Sequence, residues 1–220
     1  LFLAFSFPKF DFEFLAWFGF VPLLFAIEGR KGSESFWLGF LAGLFFYLID
    51  LHWIINTLVN FGNISPFLGY PILFLLAAYL SAYIGLFSWI LSSLSHKNPR
   101  NILLAPLIWT TFEYLRSTHS ELGFSWLGLG YSQYKNLPAI QISEFTGIYG
   151  VSALLVLTNS AIYMTSRQWV SSGSFKDTFS KKYLISTISF ASIMLIGSFC
   201  YGFYYLKNSV NEEDSQIKAT

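Results

Sequence analysis

Long unbroken apolar runs set the pattern of this chain. Residues 36–59, 67–94, 145–164 and 183–206 each reach about the twenty mostly apolar residues that a helix needs to cross ~30 Å of hydrocarbon at ~1.5 Å per residue. The first is interrupted by Asp50, His52 and Asn56; the other three hold no Asp, Glu, Lys or Arg. Two runs are shorter. Residues 14–27 carry Pro22, and residues 102–115 carry Pro106 and Glu113; both reach a spanning length once amphipathic flanks are added. Residues 1–7 read as the tail of a further helix, and the chain opens without Met, so a fragment is expected. The pattern predicts an all-α fold, a polytopic transmembrane helical bundle with six spanning helices plus that N-terminal tail. A β-barrel would instead show alternating segments of about ten residues.

Composition narrows the picture further. Of 220 residues, 54% are hydrophobic and 20% aromatic. Charged residues are 11%, against about 25% in an average soluble domain, too few to cover a globule of this size. A disordered chain would be poor in aromatics and rich in charge. The net charge of +1 supplies no field for nucleic acid. With Cys200 as its one cysteine, the chain has no internal disulfide framework and no cysteine-rich metal site.

The connections fall into two alternating sets. Residues 28–35, 95–101 and 166–182 hold eight Lys and Arg; residues 9–13, 60–66, 116–139 and 208–220 hold four, and Lys207 at the edge of the last makes five. The positive-inside bias places the first set in the cytoplasm and the second outside. The predicted organisation is a transmembrane domain over residues 1–207 and an outer-face tail over 208–220. Within that tail, residues 216–220 read as mildly strand-like after Glu212, Glu213 and Asp214.

Candidate chemistry is sparse. Glu113 and Arg116 stand three apart on one helix face, near a membrane end. A charge at membrane depth is paired or cavity-facing, so the two could anchor the outer loop or touch a lipid headgroup. The plainer alternative is an interfacial ion pair that only packs. Asp50, His52 and Asn56 lack His-x-x-x-His metal spacing and read best as the solvated end of a helix, with a proton relay as the sharper option. Glu144 suits the first turn of the next helix. Gly39 with Gly43, and Ser81 with Gly85, are small-x-x-x-small pairs that let helices approach. Cys200 has apolar neighbours and reads as an inert packing residue. The glycine-rich stretch 123–134 is too aromatic to cradle phosphate. Trp126, Tyr131 and Tyr134 read as an interfacial aromatic belt, in a loop or short helix lying in the outer headgroup layer. Taken from the residues alone, this is a helical membrane bundle with an aromatic outer rim and no visible catalytic set.

A resemblance adds to that reading. Trp109-Thr-Thr-Phe-Glu113-Tyr-Leu-Arg116-Ser, Gly123-Phe-Ser-Trp126, Leu129-Gly-Tyr131-Ser-Gln133, Ile140-Gln141, Gly147-Ile-Tyr149-Gly150-Val-Ser152 and Asn159 follow in order. Together they resemble the membrane portion of the apolipoprotein N-acyltransferases. Phe5-Ser-Phe-Pro8-Lys-Phe-Asp11, Leu15-Ala-Trp17, Val21-Pro22-Leu23-Leu24 and the stretch from Gly39 to Trp53 are similar to that family's first turn, second helix and third helix. Ser125 departs from it, where the family carries Pro. The resemblance implies an enzyme of the bacterial inner (cytoplasmic) membrane that takes an acyl chain from a phospholipid donor. It passes that chain to the amino group of an apolipoprotein acceptor's diacylglyceryl-cysteine. It also implies a cysteine thioester formed in a periplasmic nitrilase-like domain lying between the last two of eight helices. No catalytic residue is carried onto this chain, since Glu, Lys and Cys are expected in that domain, and no metal or organic cofactor is implied. Trp126, Tyr131 and Gln133 are the candidate substrate-binding surface under the active site, and Glu113 and Arg116 are the polar pair that would hold it. The alternatives are a non-catalytic membrane subunit and a transporter-like bundle; for the latter, no inverted repeat shows.

Overall fold

The structure is a computed structural model that describes residues 2–118, 121–171 and 179–217. Among them it is all-helical. A 3₁₀ turn at Ala4–Ser6 and another at Glu13–Trp17 lead into α1 (Val21–Ile27). Then come α2 (Gly32–Asp50), α3 (Trp53–Asn60), α4 (Pro66–Lys97), a 3₁₀ turn at Pro99–Leu104 and α5 (Ala105–Thr118). A 3₁₀ turn at Leu129–Gln133 precedes α6 (Leu137–Ile140), α7 (Ser143–Ser171) and α8 (Lys181–Ile217).

Among the described residues, four helices are long and apolar enough to cross a membrane: α2, α4, most of α7 and the apolar part of α8. The expectation of six spans is met only in part, because the two shorter runs do not form continuous long helices. Residues 14–27 are broken between Trp17 and Val21, and residues 102–115 divide into a 3₁₀ turn and α5. Residues 36–59 also divide: α2 stops at Asp50 and α3 begins at Trp53. The polar residues Asp50 and His52 flank that break. The N-terminal tail shows a 3₁₀ turn, closed by the Ser6 hydroxyl donating to the Leu3 carbonyl at 2.6 Å, rather than α-helix.

Helices α2 and α4 pack closely because small residues face each other. A Cβ on Gly39 would lie 2.2 Å from Ser88 Oγ, and one on Gly43 3.2 Å from Ser81 Cα. Close approach of this kind raises van der Waals contact, which drives helix association in lipid. Two apolar cores result. One gathers Phe20, Phe87, Leu91, Leu155 and Met164, and the other Phe7, Tyr47, Leu51 and Leu80.

The connections converge on two ends. At one, Ser92 Oγ donates to the Arg30 carbonyl at 2.9 Å, Arg167 Nε bonds to Glu28, and Tyr183 Oη donates to the Arg100 carbonyl at 3.1 Å. At the other, Tyr134 and Lys135 bond to Asp11, and Tyr79 Oη donates to the Leu122 carbonyl. The C-terminal half of α8 reaches that second end, where Gly202 packs on the Pro138 carbonyl. The backbone of α8 stays helical through Ile217, which corrects the strand-like reading of residues 216–217. Residues 208–217 are rich in Glu, Gln, Asn and Ser, and no strand edge is offered to them among the described residues. Residues 218–220 lie outside the described residues.

Candidate functional site: a pinned aromatic loop at one end of the bundle

The site is built on a break and a loop. Between Trp17 and Val21 the chain is not α-helical, so its backbone groups need partners that hydrocarbon cannot supply. Asn159, fully buried on α7, supplies them. Its Oδ1 accepts from Phe20 N at 2.8 Å, and its Nδ2 donates to the Ala16 carbonyl at 2.9 Å and to the Leu155 carbonyl at 2.8 Å. One amide thereby fixes the entry into α1.

The loop after α5 is held along almost its whole length, each tie a few residues past the one before. Tyr79 reaches Leu122, and Phe124 N donates to the Arg116 carbonyl at 2.8 Å. Arg116 Nη1 donates to the Trp126 carbonyl at 2.9 Å. Leu129 N donates to Glu113 Oε1 at 2.5 Å, and Gly130 N donates to Ser152 Oγ at 2.9 Å. Gln133 Oε1 accepts from Trp17 Nε1 at 2.9 Å, while its Nε2 donates to the Glu13 carbonyl at 2.9 Å. Asp11 then closes the far end, accepting from Tyr134 Oη and Lys135 Nζ at 2.7 Å each. The bonds from Lys135 and Tyr134 hold the Asp11 carboxyl below its usual range, and Asp11 in turn raises the Lys135 ammonium.

The sequence-derived candidates therefore separate by location. Glu113 and Arg116 are 4% and 3% exposed, and each spends its side chain on loop backbone. The Arg116 guanidinium also lies 5.8 Å from the Tyr47 ring centre, a cation–π distance. Trp126 and Tyr131 are about half exposed on the rim. Trp126 stacks obliquely on Trp53, with ring centres 4.8 Å apart. Gln133 lies apart from them, since it is fully buried and its amide is engaged internally. It is a tie between loop and first turn rather than part of an open surface. Asp50 is buried at the end of α2. Cys200 is exposed on α8, so it faces outward instead of packing inside.

Sequence reasoning gave Asn159 and Ser152 no role, although both stand in the recognised motifs. A lone Asn and a lone Ser within an apolar helix were the available signals, because a polar group there needs a partner. Beneath the loop, Leu127 and Leu129 roof an apolar cavity of about 570 Å³ whose walls include Phe20, Phe46, Tyr47 and Trp109. That lies within the roughly 300–1,000 Å³ of small-molecule sites.

These features define an all-helical membrane domain that presents a rigid aromatic loop at one end. The sequence profile of the apolipoprotein N-acyltransferase N-terminal domain matches residues 1–161. The chain belongs to the apolipoprotein N-acyltransferase family. It is 31% identical over 201 residues to the apolipoprotein N-acyltransferase of Geobacter metallireducens, covering 91% of this chain and 37% of that protein. It is 32% identical over 170 residues to that of Chromobacterium violaceum, covering 75% and 33%. It is 33% identical over 171 residues to that of Thermotoga maritima, covering 73% and 33%. The chain thus spans about a third of the length of these curated relatives.

Proposed function

We propose that this chain is the membrane module of an apolipoprotein N-acyltransferase. The whole enzyme moves an acyl chain from a phospholipid to the N-terminal diacylglyceryl-cysteine of a lipoprotein, through a cysteine thioester. The reacting Glu, Lys and Cys belong to a nitrilase-like domain outside this chain. Residues 1–207 anchor it in the inner membrane, and residues 208–220 lead toward it on the periplasmic side. Trp126 and Tyr131 form the floor beneath the active site, and Glu113 and Arg116 hold that floor rigid. The cavity under Leu127 and Leu129 supplies apolar volume beside it for lipid tails.

The observation that carries this reading is convergence at one end of the bundle. The pinned loop and the C-terminal half of α8 lie at the same end, in a chain of this family. Positive-inside bias makes that end the outer one. A rigid floor matters because an acyl-transfer site gains rate from groups held in a fixed geometry.

The test uses the full-length protein in cells depleted of their own N-acyltransferase. The N-terminal peptide of a reporter lipoprotein, read by mass spectrometry, should regain its amide-linked acyl chain. A peptide left with two acyl chains overturns the proposal. In the same assay, Arg116→Ala removes the bond to Trp126 and should lower acylation or protein level; unchanged values of both would remove the loop-holding role.

A further inference from the structure

A second apolar space lies on the lipid-facing side of the bundle. It is a groove of about 750 Å³ between α5, α7 and α8, lined by Leu107, Leu154, Leu157, Phe190, Met194 and Tyr201 among others. Its polarity changes along its length. At the outer mouth Tyr201 Oη donates to the Glu144 carboxylate, beside Thr146. One turn deeper, about 4.5 Å along the axis, is Ser198. Its hydroxyl is buried and has no hydrogen-bond partner, although Thr187 on the same helix bonds back to the Tyr183 carbonyl. Below Ser198 the lining on α8 is apolar as far as Phe190.

We propose that this groove binds one acyl chain of an outer-leaflet glycerophospholipid, with the ester carbonyl at Ser198 and the headgroup at Glu144 and Tyr201. The proposal rests on the outward orientation given above, and it adds a lipid site away from the loop. Three features favour a lipid over a protein helix. Headgroup, ester and chain follow the same order as carboxylate, free hydroxyl and apolar wall. From Tyr201 to Phe190 the groove runs eleven residues of α8. At ~1.5 Å each that is about 17 Å, near half the ~30 Å hydrocarbon thickness, which suits one leaflet and not a spanning helix. A buried hydroxyl with no partner is costly, and an ester oxygen would satisfy it.

Gly197 supplies the test. It lines the groove, and a Cβ there would meet nothing within 4 Å. Gly197→Leu therefore adds volume to the groove from a position whose Cβ meets no neighbour, and it favours the helix. The full-length protein is placed in nanodiscs of phosphatidylethanolamine and phosphatidylglycerol doped with a phosphatidylethanolamine carrying a diazirine on its acyl chain. Cross-linked residues are mapped by mass spectrometry. The expected result is strong labelling of Leu154, Leu157 and Met194, weaker labelling of the exposed Phe45 and Leu75, and a roughly tenfold loss at the groove alone in Gly197→Leu. Ser198→Ala, which leaves the packing alone, should lower groove labelling as well. Labelling equal at groove and control positions, and insensitive to both variants, overturns the site. So does cross-linking of groove residues to another protein segment. The reporter-lipoprotein assay fails independently: labelled grooves without N-acylation would overturn the enzyme reading and leave the lipid site standing.

Discussion

At the scale of single residues, the fold depends on polar side chains that each satisfy backbone far away in sequence. Asn159 is the clearest case, because all its bonds but one reach the break around Phe20. Replacing it by Leu keeps the approximate volume and strands Phe20 N–H in an apolar core. An unsatisfied buried group of that kind costs about 1–3 kcal/mol. Asn159→Leu is therefore expected to lower the unfolding midpoint in detergent well below that of Asn159→Asp, which keeps an acceptor for Phe20. Equal midpoints for the two would show that the Phe20 bond is not what matters. This residue was visible in the sequence only as one polar position among apolar ones. Its partners lie about 140 positions away, and no local pattern points to them. Glu113 and Arg116 were easier to single out, because charge near a membrane end is conspicuous. Spacing alone made them an ion pair or an anchor, and the geometry gives each its own stretch of loop backbone.

At the scale of elements, hydrophobic run length was a good guide wherever one face of a helix meets lipid. It recovered α2, α4, α7 and α8, while the two shorter runs do not form single long helices. Residues 14–27 and 102–115 mix buried positions such as Leu24, Ile27 and Ile102 with exposed ones such as Phe14, Leu107 and Leu115, and neither run forms one continuous long α-helix. Run length cannot distinguish these cases, since core and lipid ask for the same side chains. Breaks are encoded differently, in backbone freedom. Gly147 lies within α7 at φ 61° and ψ −174°, a region open essentially to glycine alone. There is room for a side chain, because the nearest atom to an added Cβ is 3.9 Å away. The cost of Gly147→Ala is thus conformational, about 1–3 kcal/mol. Gly197→Ala, on an ordinary helical stretch of α8 with open space around it, should be neutral or stabilising. Thermal unfolding of the two variants side by side is expected to separate them in that order. A Gly147→Ala protein as stable as its parent would mean that α7 straightens without loss.

At the scale of the whole molecule, the alternation of polar connections is the feature on which orientation depends. Its two sets meet at opposite ends of the bundle: Glu28 with Arg167 and Arg100 with Tyr183 at one, Asp11 with Lys135 and Trp53 with Trp126 at the other. Grouping and orientation are separate matters. Side-chain contacts establish which connections share an end, whereas the excess of Lys and Arg assigns that end to the cytoplasm. Eight against five is a small excess, so orientation is the part most worth measuring. Lys135→Cys and Lys97→Cys in the full-length protein sample the two ends. Cys200 is exposed on the apolar stretch of α8, where a membrane-impermeant thiol reagent does not reach it. In intact cells, with the outer membrane made permeable, that reagent is expected to raise labelling over the parent for Lys135→Cys alone. Lys97→Cys should react only after the inner membrane is broken. The reverse order would invert the bundle, place the loop of Trp126 and Tyr131 in the cytoplasm, and separate it from any periplasmic catalytic domain. Equal labelling of both positions before lysis would contradict the division into two ends.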